Sequence, residues 1–196
     1  MPEQLPQATM AGTDTTRERL LAAAERILVE DGAHALTVRR IGQVSGLNGT
    51  LVTYHFGTMG ALMQQLARSN LDPMTEAWEG LTGMADDLDR LLAAWLRPLL
   101  APAAYNPSGR ALLVLDELAS HAEPGVRMQV MDAMVAVAAT MALQVARLAP
   151  HLPPDTVMER LRFIAGAALG PPPRGHAATT PSLEGLIAFA LAALRG

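Results

Sequence analysis

The chain predicts an all-α protein in two parts, a small N-terminal three-helix unit and a larger helical body. Three observations carry that expectation. Half of the 196 residues are apolar but only 4% are aromatic, with alanine, leucine and methionine plentiful, a balance that favours helices over strands. Apolar residues recur at helical spacing in segment after segment. Glycine and proline clusters fall between those segments, where helices must stop.

Residues 1–12 are polar and proline-containing, without a basic start or an apolar run, and read as a disordered lead-in. The first helix opens on Thr15-x-x-Glu18, a capping box, carries Leu20, Leu21, Ala24, Ile27 and Leu28 on one face, and stops at Gly32. Thr37 caps a second helix whose stripe is Val38 and Ile41. Gly46 suits the residue after a helix end, where φ is positive and a β-carbon is penalised. Asn48 suits the next N-cap, and a short third helix ends in Tyr54-His55-Phe56. The fourth helix starts behind Thr58 and runs towards Leu81, with a disturbance expected at Pro73. Asp86, Asp87 and Asp89 favour the start of a fifth, which reaches about Leu100 with Pro98 inside or ending it. Tyr105 to Gly109 is a turn cluster, and a sixth helix covers Arg110 to His121. Pro124 opens a long seventh that ends near Leu148, before Pro150, Pro153 and Pro154. The eighth spans Asp155 to Leu169, Pro171 to His176 form a loop, and a last helix follows Pro181-Ser182 to Leu194.

Two short helices joined by a tight turn, the second projecting, are how helix-turn-helix proteins enter the major groove. Residues 37–58 have that form. The formal net charge of −4 is unhelpful for a nucleic-acid binder, and residues 1–60 hold five arginines against six acids. The distribution is better than the sum. No acid occurs between Gly32 and Leu71, while Arg39, Arg40 and Arg68 lie there, and such a window suits the approach of phosphate. The free N–H groups behind Thr37 could help to hold one.

From about Thr15 to Leu62 the ordered set Thr37, Gly46-Leu47-Asn48, Tyr54-His55-Phe56 and Gly57-Thr58-Met59 resembles the DNA-binding domain of TetR-type transcriptional repressors, without insertion or deletion. The resemblance implies a DNA-binding domain at 13–57 and a ligand-binding and dimerisation domain at 58–196. It places Gly49, Thr50, Leu51 and Thr53 towards bases and Tyr54 and His55 at the backbone. Leu47, Val52 and Phe56 fall to the core. Arg17, Thr37, Arg39, Arg40, Asn48 and Thr58 complete the candidate DNA set. Two residues depart from the family habit: Met59 stands where a lysine would meet a phosphate, and Leu51 where a polar residue is more common. One missing phosphate contact removes about one unit of salt slope.

In the body, Met131 and Met134 share a stripe with Ala138 and Met141, and methionine walls adapt to irregular apolar ligands or fill cores. Met74, Trp78, Trp95 and Tyr105 are further candidates to line a cavity, with Arg110, Asp116, Glu117 and His121 as polar handles. Gly166-xxx-Gly170 would let another helix approach closely, by analogy with membrane helices. The last helix is apolar almost all round and must be buried. Phe163, Gly166, Gly170, Leu186, Phe189 and Ala190 are the resulting candidates for a dimer interface.

Cysteine is absent, so disulfides, thiolate metal sites and cysteine nucleophiles are excluded. The five histidines show no metal-ligand pairing, and no phosphate-binding glycine loop or Gly-x-Ser-x-Gly occurs. Ala133 to Ala146, the longest charge-free apolar stretch, is too short to span a bilayer and reads as a buried helix. The expectation is a cytoplasmic homodimer on a near-palindromic DNA duplex, with no enzyme activity, cofactor or membrane partner. A small apolar or amphipathic effector would release it. The alternatives are a constitutive DNA binder without effector, or a helical protein or enzyme that binds no DNA.

Overall fold

The computed structural model describes residues 8–84, 86–170 and 181–195, with side chains from Thr15 onward. Most of the expected lead-in, and the loop expected at Pro171 to His176, lie outside the described residues. Nine α-helices occur among the described residues, in the order α1 (Ala8–Asp31), α2 (Val38–Ser45), α3 (Thr50–Phe56), α4 (Met59–Trp78), α5 (Leu88–Leu99), α6 (Ala111–His121), α7 (Pro124–Leu148), α8 (Pro154–Leu169) and α9 (Leu183–Arg195). Single 3₁₀ stretches stand at Ala33–Ala35 and Glu79–Gly83.

The helix starts before its expected cap. α1 begins at Ala8, so Thr15 and Glu18 lie inside it and the lead-in is shorter than expected. Once a helix is nucleated by a buried face, each added residue gains a hydrogen bond, and Ala8, Met10 and Ala11 are good formers. That face is as expected: Leu20, Leu21, Ala24, Ile27 and Leu28 are fully buried.

Glycine sets how closely the next two helices cross. A β-carbon on Gly42 would stand 2.9 Å from the Gly49 nitrogen, and one on Gly49 would stand 2.9 Å from the Val38 carbonyl. Gly46 closes α2 at φ 66, the left-handed conformation its sequence position demanded. Thr37 Oγ1 accepts from the Arg40 N–H at 3.1 Å, and Thr58 Oγ1 from the Ala61 N–H at 3.0 Å, so both expected caps form. Ile41 and Val52 are the anchors that seat α2 and α3 on α1 and α4.

α4 joins the two parts of the molecule. It packs on α1 and α3 and also on α5, α6 and α7. Pro73 is exposed and does not end it; the helix continues to Trp78 and then tightens into the 3₁₀ stretch. Pro98 likewise sits inside α5. α7 is long and apolar enough to cross a bilayer by length and composition, yet it packs on α4, α6 and α8. The buried-helix expectation holds for only one side of it. Val137, Met141 and Val145 are buried, whereas Val135 and Leu143 are 61% and 68% exposed.

A buried carboxylate fastens the parts together. Glu25 of α1 is fully buried, accepting from Asn70 Nδ2 of α4 at 2.6 Å and from the Tyr105 N–H at 2.7 Å. Asn70 also accepts from the Ala104 N–H at 3.0 Å. Burial raises the Glu25 carboxyl above its ordinary value of 4.5, although hydrogen bonds from Asn70 and the Tyr105 and Asn106 backbone act to lower it. The folded chain therefore holds this proton to higher pH than the unfolded chain. The stability contributed by Glu25 is fully present below about pH 4.5 and declines as pH rises through the raised folded value. In denaturant titrations, wild type should lose ground to Glu25→Gln as pH rises above about 4.5. Glu25→Ala, which orphans the Asn70 and Tyr105 donors, should cost about 1–3 kcal/mol. A wild-type-to-Gln difference that stays constant with pH would show that burial does not dominate.

Candidate nucleic-acid interface and ligand cavity

α3 presents its outer face beyond the tight turn. Thr53 is exposed and Tyr54 is 79% exposed, a large value for an aromatic ring with nothing folded over it. Tyr54 meets His55 edge-on at 5.0 Å between ring centres. Asn48 Oδ1 accepts from both the Thr50 N–H and the Thr50 hydroxyl, at 3.0 and 2.9 Å. Asn48 thus supplies the cap expected of it, and the Thr50 hydroxyl proton is already committed to Asn48. Leu51 packs partly against the core, as do Leu47 and Phe56, so Leu51 serves packing more than readout. Gly49 belongs to the helix crossing described above, leaving its backbone rather than a side chain at the surface.

The arginines divide by what already holds them. Arg39 is exposed and makes no hydrogen bond or ion pair within the described residues. Arg40 pairs with Asp31 at 2.9 Å, so a phosphate must compete with that carboxylate for it. Arg17 is already engaged within the chain. Its guanidinium lies 5.0 Å over the Phe56 ring and donates to Gln65 at 3.0 Å, tying α1 to the end of α3 and to α4. Sequence reasoning missed Arg19, which caps the end of α2 through the Ser45 carbonyl at 2.9 Å. Met59 is partly buried against the core, which accounts for an apolar residue where a lysine was expected.

The body carries a half-open cavity of about 780 Å³, within the range of small-molecule sites. Trp78, Trp95, Met131 and Met134 line it together, as the sequence suggested, and Asp116 stands at its wall. The other candidates lie elsewhere. Met74 lines a second cavity of about 750 Å³ between α4 and α5. Tyr105 bonds the Ser69 hydroxyl at 2.9 Å, Ser69 accepts from Gln65, and the chain ends at Arg17. Arg110 donates to the carbonyls of Ala168 and Leu169, closing the end of α8, and burial lowers its pKa. His121 is exposed, with Nδ1 3.5 Å from Glu117.

Glu117 has another task. Its Oε2 accepts the Ala33 N–H at 2.9 Å, across from α6 to the 3₁₀ turn just ahead of α2. Asp116, the residue before it, faces the cavity, and its carboxyl is raised by burial first and by the Glu117 charge second. Nothing in sequence spacing pointed to this pairing across 84 positions.

The interface candidates also separate. Leu186 and Ala190, with Leu194, are buried within their own chain, where α9 packs on α5 and α8; intramolecular packing covers that stripe. Gly170 ends α8 at φ 77 and is a terminator, not part of a seam. Phe163 and Phe189 remain 58% and 47% exposed, and a β-carbon on Gly166 would meet nothing within 4 Å.

Residues 20–66 match the family model of bacterial regulatory proteins of the tetR family. Solved structures agree over nearly the whole chain. A TetR family transcriptional regulator, PfmR from Thermus thermophilus, superposes with a TM-score of 0.65 at 16% identity, covering 91% of this chain and 98% of its own. The N-terminal segment is thus similar to the tetR family, and the whole chain shares the fold of this regulator. A structure assigned as a transcriptional regulator from Pseudomonas aeruginosa gives a TM-score of 0.60 at 16% identity, covering 93% and 89%. One assigned to the TetR family from a Rhodococcus species gives 0.58 at 18%, covering 92% and 97%. At these identities the likeness is one of fold. A search of curated proteins finds no relative by sequence. The family match falls on the segment that holds α2 and α3, the pair with helix-turn-helix form.

The engaged and unengaged residues should behave differently in DNA titrations. Arg39→Ala should weaken every duplex alike and flatten the salt slope by about one. Thr53→Ala should change the preferred bases. Arg17→Ala should lower thermal stability through its lost contacts to Phe56 and Gln65. Loss of base preference on Arg39→Ala, with none on Thr53→Ala, would reverse the assignment of these two positions.

Proposed function

We propose that the protein is a dimeric, cytoplasmic repressor that reads a near-palindromic duplex and leaves it when a small apolar or amphipathic molecule occupies the 780 Å³ cavity. Residues 13–57 would form the DNA-binding domain and 58–196 the ligand-binding and dimerisation domain, with α4 bridging the two. Thr53, Tyr54 and Arg39 are the strongest members of the DNA set. Thr37, Arg40, Asn48, Gly49, Thr50, Leu51, His55 and Thr58 shape or flank that surface. Two copies would set their α3 helices in successive major grooves about 34–36 Å apart.

The observation that carries the reading is the pair of neighbours on α6. Asp116 faces the cavity and Glu117 holds the turn before α2, so one helix touches both the ligand and the reading head. A ligand that displaces the α6 wall by a fraction of an ångström acts directly on the Ala33 hydrogen bond. Coupling of about 1–3 kcal/mol between cavity and operator is enough for release. A constitutive binder would fill this volume with side chains.

Phe163 and Phe189, on the outer faces of α8 and α9, are the surface proposed for the partner chain, together with Gly166, which also lines the cavity. Uncovered aromatics at such exposure gain from burial against a second copy.

Selection of bound sequences from random DNA should enrich a two-fold symmetric site, with Kd around 10⁻⁸ M or weaker given Met59. Phe189→Glu should give a folded monomer with sharply reduced operator affinity, read by light scattering and titration. Glu117→Ala should keep operator binding within a few-fold and blunt its release by an effector. Absence of any enriched palindrome, even at low salt, would sink the repressor reading.

A further inference from the structure

We propose, resting on the effector reading above, that the cavity between α7 and α8 takes a lipophilic cation, with the apolar body against Trp78 and Trp95 and the positive group at a carboxylate rim. The cavity supplies the apolar half of this. Besides the two indoles, its walls carry Met131, Met134 and Met158, soft side chains that adapt to bulky or irregular bodies. Trp78 is fixed by donation from its Nε1 to the Trp95 carbonyl at 3.0 Å, so both rings are oriented before a ligand arrives.

The rim supplies the sign. Asp116, Asp155 and Glu159 line the cavity from two different helices, and none of them has a hydrogen bond or ion pair to another residue among the described residues. The single cation in the lining, Arg162, leans over the Phe163 ring at 5.7 Å, and Phe163 is outside the cavity. The lining therefore carries two more negative charges than positive ones, on carboxylates without fixed partners. Asp155 also sits in the first turn of α8, where an acid suits the helix dipole, so Asp116 and Glu159 carry the selective weight. Burial first and the Glu117 charge second press against ionisation of Asp116, with His121 acting the other way, and an approaching cation relieves the net pressure. Aromatic faces add to the preference, because a cation over indole is favoured where an anion is not.

The chain has two tryptophans and both line this cavity, so intrinsic fluorescence reports its occupancy directly. Tetraphenylphosphonium and tetraphenylborate are nearly equal in shape and opposite in charge, and serve as probes. Tetraphenylphosphonium should quench or shift the emission with saturable binding at least tenfold tighter than tetraphenylborate. The preference should shrink as salt is raised. Asp116→Asn and Glu159→Gln should each weaken the cation about three- to tenfold and leave the anion unchanged or improved. Both variants retain side-chain volume, and thermal melts matching wild type will show that they fold. Equal or tighter binding of tetraphenylborate would overturn the charge assignment while leaving the cavity as an effector site. Saturable binding of neither probe would overturn the cavity as a ligand site and the effector reading with it.

Discussion

The molecule hangs on one buried carboxylate. Glu25 reaches from α1 to Asn70 on α4 and to the backbone before α6, a fully buried polar link between the three-helix unit and the body. Apolar contact has no direction. A buried acceptor with fixed donors does, because any slip leaves a charge or an N–H unpaired at a cost of a few kcal/mol. Glu25 therefore fixes the angle at which the reading helix is offered, not merely its attachment. Desolvation disfavours the charged form of Glu25 at this position. The Glu117 contact to Ala33 lies on another side of the same junction and is more exposed. The two differ in kind: one is a deep pin, the other a latch within reach of the cavity wall.

Most of the helical plan was legible because its signals are local. Thr37, Gly46, Asn48 and Thr58 announce their turns by backbone chemistry that involves only the next few residues, and each does what that chemistry requires. Pro124 and the prolines after Leu148 bound α7 for the same reason. The departures also have local causes. Pro73 was weighed as a disturbance, but at an exposed site a long helix tolerates it. The Ala33–Ala35 turn has no sequence signature and was invisible.

Long-range partners were not legible. Arg17 and Tyr105 were assigned to two different sites, and both belong to one run of hydrogen bonds along α4. Periodicity marks Leu186 and Ala190 as buried but does not tell a neighbouring helix of the same chain from one of a second chain. The two tryptophans and two methionines did converge on one cavity, since bulky apolar residues on facing helices of a body this size have few places to meet. Charged residues at helical spacing carry no such constraint. Of the polar handles considered, only Asp116 reached the wall.

The close crossing of α2 and α3 has a consequence for how such a protein changes over time. The crossing is set by Gly42 and Gly49, with Ile41 and Val52 beneath it, while Thr53 and Tyr54 point away from every packed surface. Residues that would choose a DNA sequence are thus separate from residues that hold the helix in place. Exchange at positions 53 and 54 leaves the core untouched, so a lineage can wander from one operator to another without passing through an unstable intermediate. The glycines have no such freedom: a single methyl group at either would push the whole reading helix off its seat.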